Sequence, residues 1–176
     1  MLILIILWII ANIAFQLGPY GISKLKEASG GIGIPDMMLG YDLTTLNNVF
    51  KAYGPEGIAI YKKIKILDYI YPLIYTTLIL GFLVRSHPPK QWRPAIYGNA
   101  FFILILDYAE NILLGILVDR YPFLTPDYRS LAKFAALLTE LKWTFIALAV
   151  FNIIIFSLRY HLVSKKKHRR KSHSIN

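Results

Sequence analysis

Apolar residues along this chain gather into long blocks separated by short polar joints, and the blocks have the length of a bilayer. A helix rises about 1.5 Å per residue, so about 20 apolar residues cross the hydrocarbon core. Residues 66–84, 96–118 and 131–158 reach that length, and residues 2–18 nearly do before the Gly18-Pro19 break. Lipid offers no partner for backbone N–H and C=O groups, which makes each such block a helix. The pattern predicts an all-α integral membrane bundle of four transmembrane helices, one domain over residues 1–163, followed by a basic, disordered tail at 164–176. The first block lacks a basic leading region and a small-x-small cleavage site, so it reads as a retained span.

Between the first two blocks lies the longest polar joint. Leu43, Leu46, Val49 and Phe50 recur at helical spacing there, predicting a short amphipathic helix in the first, outer loop. Asp42 or Thr44 can cap its start, and Gly54-Pro55 ends it. Two placements are open to this helix, flat in the head-group region or across the mouth of the bundle. A second helix starts at Pro55-Glu56 and runs into the second span. Gly30-Gly31-Ile32-Gly33 lacks the Gly-Lys-Ser/Thr ending of a phosphate loop and reads as linker.

Charge changes the picture in orientation more than in function. The net charge is +10, and most of the surplus sits after the last span in Lys165, Lys166, Lys167, Arg169, Arg170 and Lys171. A juxtamembrane cluster of this kind attracts anionic lipid head groups, and by the positive-inside rule it places both termini in the cytoplasm. Lys62, Lys63 and Lys65, beside the second span, argue the other way. Nucleic-acid binding is not implied, because the basic run lacks aromatic platforms or a recognised module. The chain contains no cysteine, which excludes disulfides and thiolate chemistry. His87, His161, His168 and His173 all lie far along the chain from the acidic residues of the spans, so no metal site or cofactor is predicted.

Candidate chemistry comes from polar residues inside the apolar blocks. Asp107, Glu110 and Asn111 stand at i, i+3 and i+4 in the third span and therefore share a helix face. Two carboxylates this close in a low dielectric cannot both ionise cheaply unless a cation pairs with them. The fourth span offers Lys142 at a matching depth, with Glu140 as a further member of the network or a partner of Lys133. In the second span Asp68, Tyr71 and Tyr75 follow one another along one face, and Pro72 frees the carbonyl one turn earlier. Ionisable groups inside a membrane are costly and by default functional. The bland alternative is polar glue, in which the same side chains only hydrogen-bond across helices.

Lined up, these residues form a set of motifs: Gly40-Tyr41; Gly54, Gly57 and Tyr61; Asp68, Pro72 and Tyr75; Asp107, Glu110 and Asn111; Lys142-Trp143. In them the chain resembles a group of small, uncharacterised four-span membrane proteins, a resemblance that implies the fold and brings no activity. More loosely it is similar to the emopamil-binding/sigma-2-receptor (EXPERA) superfamily. Trp92-Arg93-Pro94-Ala95-Ile96-Tyr97 looks like that family's approach to the third span, and Asp68 stands where it has an acidic residue. This similarity implies a cavity for a lipophile. The family's sterol isomerases rely on an intramembrane histidine that this chain lacks, so isomerase chemistry is not implied.

The leading functional expectation is a membrane protein whose buried carboxylate–lysine pocket binds or helps move a small lipophilic or protonatable ligand. Asp107 and Glu110 would be the acceptors and Lys142 the counter-charge. Asp68, Tyr71 and Tyr75 would form the outer lining, with Asn111 and Glu140 beside them. Two other classes compete: a lipid-modifying enzyme with Glu110 as general acid/base, and an assembly subunit whose polar cluster only fixes helix pairing.

Overall fold

The computed structural model describes the backbone of residues 1–173 and the side chains of residues 1–163. The lipid contacts expected of Lys165, Lys166, Lys167, Arg169, Arg170 and Lys171 fall on side chains outside the described residues, while the backbone of 164–173, where the sequence predicts a disordered tail, continues the last helix. Among the described residues all regular structure is helical: α1 (Leu2–Leu17), α2 (Ile22–Ala28), α3 (Leu43–Leu67), α4 (Tyr71–Arg85), α5 (Arg93–Arg120) and α6 (Arg129–His173), with short 3₁₀ turns between some of them. Three stretches, Leu2–Ala28, Lys90–Arg120 and Pro126–Val163, are long and apolar enough to cross a membrane. A fourth is reached if α3 and α4, bent by 42° at a short break, are one span.

That break replaces the uninterrupted second span expected at 66–84. Its cause is local: Pro72 stands in the first turn of α4 and has no N–H to donate to the carbonyl of Asp68. The freed carbonyls are satisfied from α5, where Asn111 Nδ2 donates to Asp68 O at 2.9 Å and Tyr108 OH donates to Tyr69 O at 2.8 Å. The bend is thus built into both sequences, the proline on one helix and the two donors on the other.

Within α3 the chain pauses once more. Asp42 caps its start, accepting from the Thr45 amide at 2.8 Å, and Gly54 interrupts it with φ of 59° and ψ of −174°. The segment ahead of Gly54 turns Leu43, Leu46, Val49 and Phe50 into an apolar cluster with Leu25, Tyr61, Leu114, Leu117 and Ala132. A second cluster, of Leu83, Ile96, Ala100, Ile103 and Ala149, fills the other half of the molecule.

Helix α5 runs through both clusters and explains what lies between them. Its buried positions form one stripe at intervals of three and four: Ile96, Ala100 and Ile103 at one end, Leu114, Leu117 and Val118 at the other. Asp107, Glu110 and Asn111 occupy the middle of the same stripe, so the face that packs inward carries them into the interior.

Candidate functional site

Helix α6 meets this stripe with a face of its own. Ala132, Ala135, Ala136, Thr139 and Lys142 are all buried; the alanines let the backbones approach, and Thr139 and Lys142 arrive opposite the acids. Lys142 forms an ion pair with Glu110 and lies 3.8 Å from Asp107. Thr139 donates to Glu110 and shares a hydrogen bond of 3.0 Å with Tyr41. Tyr75, from α4, donates to Asp107, and Asn111 Nδ2 reaches the same carboxylate at 3.2 Å. Glu110 is 0% exposed, so water does not share its charge and Lys142 must.

A second ammonium completes the arrangement. Lys65, at the end of α3, is ion-paired to Asp36, lies 3.2 Å from Asp68 and donates to Asn111 Oδ1 at 2.6 Å. Asp36 sits in the turn Pro35–Met37 and also accepts from Tyr61 OH at 3.2 Å, while its backbone carbonyl accepts from the Trp143 indole at 3.2 Å. Burial opposes ionisation of Asp36, but the ammoniums of Lys65 and Lys142 overcome it and hold that carboxyl below the ordinary range. Asn111 is the hinge of the network, touching Lys65, Asp107 and the carbonyl of Asp68 at once.

The expected residues are therefore brought together with one clear exception. Asp68, Asp107, Glu110, Asn111 and Lys142 are buried and joined, and Tyr75 is tied to them through Asp107. Glu140 is exposed and belongs neither to the network nor to an ion pair with Lys133. On α6 it is one residue off the inward face, a rotation of about 100°, and Thr139 occupies the place expected for it. Tyr71, expected in the outer lining with Asp68 and Tyr75, lines with them the cavity beside the network; it donates to Asn12 at 3.1 Å and stacks on Phe15.

Sequence reading placed Tyr61 on the face of Asp68 but missed Asp36, Lys65 and Thr139 as members of the site. Lys65 had a usable signal, since Tyr61, Lys65 and Asp68 stand at i, i+4 and i+7 on one helix face. Asp36 had none: it lies in a Gly- and Pro-rich joint whose path only tertiary contacts define.

A cavity of about 470 Å³ opens beside the network. Most of its wall is apolar, from Trp8 and Phe15 of α1, Leu78 and Phe82 of α4, and Ile146 and Val150 of α6. Asp36, Asp68, Asp107 and Lys142 supply the charged part. Glu110 is not on the wall and acts through Lys142. Among the described residues, four buried carboxylates stand against two buried ammoniums, so protons or a cation must balance the excess. No group of three or more His, Asp or Glu side chains among the described residues is arranged to hold a metal ion.

No family model matches the chain, and neither curated proteins nor solved structures give a match.

Proposed function

We propose that this chain is a four-span membrane protein, both termini cytoplasmic, whose cavity binds a small lipophilic ligand bearing a protonatable group. The observation that carries the reading is an apolar cavity of ligand size whose charged wall holds three carboxylates and one ammonium, Asp36, Asp68, Asp107 and Lys142. Small-molecule sites are concave and mostly apolar, with a few polar groups that fix orientation. Here the apolar wall takes the body of the ligand, and Asp107, held by Tyr75 and Asn111, accepts from its head group. Lys142 keeps the site from carrying its full negative charge when empty. The reading agrees with the lipophile cavity that similarity to the emopamil-binding/sigma-2-receptor superfamily implies. An enzyme using Glu110 directly is less well supported, because that carboxylate has no place on the cavity wall.

The test is equilibrium binding of dodecylamine, with dodecanol as its neutral counterpart, to the protein in lipid nanodiscs. Saturable binding of the amine that weakens at least tenfold in Asp107→Asn, with circular dichroism unchanged, supports the proposal. Equal binding of amine and alcohol, or an Asp107→Asn variant that binds as the wild type does, defeats it.

A further inference from the structure

We infer that the cavity admits its ligand sideways from the lipid, between α1 and α6, and that the ligand is a single-chained amphiphile. Its chain lies in that opening and its head group at Asp107. This rests on the binding function proposed above and names the access route and ligand class.

The cavity is graded from end to end. At its charged end Asp68, Asp107 and Lys142 are 4–5% exposed, and the Trp143 indole, bonded to the Asp36 carbonyl, ties the first loop down on α6. At its apolar end the lining residues are themselves on the surface: Trp8 is 37% exposed, Phe82 38% and Val150 46%. A wall residue that is also a surface residue marks an edge of an opening. These three stand on α1, α4 and α6, helices that all contribute to the candidate membrane spans. The opening therefore faces hydrocarbon and not water.

The helix partners agree with this edge. Helix α1 packs chiefly on α4 and α2, while α6 packs chiefly on α5 and α4. With α4 against both, it forms the floor of a cleft whose sides are α1 and α6. From Gln16 to Trp8 the wall runs about 12 Å along α1, and from Lys142 to Ile153 about 16 Å along α6. A slot of this kind, charged at one end and apolar along its lipid-side edge, fits one hydrocarbon chain with a cationic head. Met37 and Trp143, also exposed and on the wall, mark the competing route, from water past the first loop.

Two photoreactive dodecylamines decide between the routes, one with a diazirine at the terminal carbon and one with it next to the amine. Each is applied to the wild-type protein in nanodiscs and mapped by peptide mass spectrometry. The terminal probe is expected on Trp8, Phe82 or Val150 and the amine-proximal probe near Tyr75 and Asp68. Val150→Trp, at an exposed position on the edge of the opening, should slow association at least tenfold with circular dichroism unchanged. Ile154→Trp, on the same helix but off the wall, should not. Terminal labelling at Met37 or Trp143, or an unchanged rate in Val150→Trp, overturns the inference; if Asp107→Asn still loses binding, the binding function itself stands. If neither probe labels the wild-type cavity saturably, both fall together.

Discussion

Lys142 lies between Glu110 and Asp107 with almost no access to water, and its removal would leave two carboxylates uncompensated. Breaking a buried pair from one side costs about 3–5 kcal/mol, so Lys142→Met should lower the thermal midpoint sharply in detergent. Glu110 is buried but off the cavity wall, so Glu110→Gln, which keeps the bond from Thr139, should leave folding and binding intact while Glu110→Leu destabilises the bundle; binding lost in Glu110→Gln with folding unchanged would give that carboxylate a direct part in the site. Asp36 gives a pH signature. Its folded carboxyl titrates below the ordinary value of 3.8, because the ammoniums of Lys65 and Lys142 outweigh burial. That contribution to stability is complete above 3.8 and is lost as pH falls through the folded value. Acid unfolding followed by circular dichroism should show it, and Asp36→Asn should flatten the slope in that window; an unchanged slope would refute the assignment. The α5 cluster and Lys142 were legible because residues at i, i+3 and i+4 must share a face. Glu140 misled because one step along a helix turns a side chain through about 100°, and depth alone does not register that turn.

At the scale of elements, the bend between α3 and α4 is held from outside. Asn111 takes over the carbonyl that Pro72 frees at Asp68 while also binding Lys65. Asn111→Leu should therefore cost more than one hydrogen bond, since a buried acceptor left unsatisfied carries a penalty of about 1–3 kcal/mol. Pro72→Ala restores an N–H one turn on, and in the double variant it should recover part of that loss. A double-mutant cycle on chemical denaturation measures the coupling, and strict additivity would show that the two features are independent. Gly54 makes the other break. An added Cβ would meet no neighbour there, so the cost of Gly54→Ala is backbone strain alone, roughly 1–3 kcal/mol. Both breaks announce themselves in sequence as Gly54-Pro55 and Pro72. What sequence could not give is their consequence, because whether a helix continues past a proline depends on which neighbour accepts the freed carbonyl.

For the whole molecule, the short length of α4 decides what kind of path the chain takes. Its 15 residues reach about 22 Å, less than the roughly 30 Å of a hydrocarbon core. To cross, α4 must share the span with the end of α3, and that places Asp36, Lys65 and Asp68 near its outer mouth. If the pair instead dips in and returns, residues before and after it lie on the same side. Absence of native cysteine makes the distinction clean, because single introduced cysteines can be labelled with a membrane-impermeant maleimide in sealed vesicles. Four crossings with cytoplasmic termini put Lys90→Cys and Ser172→Cys on the cytoplasmic side and Leu39→Cys and Phe123→Cys on the other. Leu39, Phe123 and Lys90 are exposed in the structure, so failure to label would reflect the membrane and not the fold. Lys90→Cys reacting from the same side as Leu39→Cys would make α3 and α4 a re-entrant pair and leave three crossings. The charged end of the cavity would then sit beside a hairpin tip, within reach of water, and lateral access would lose its physical basis.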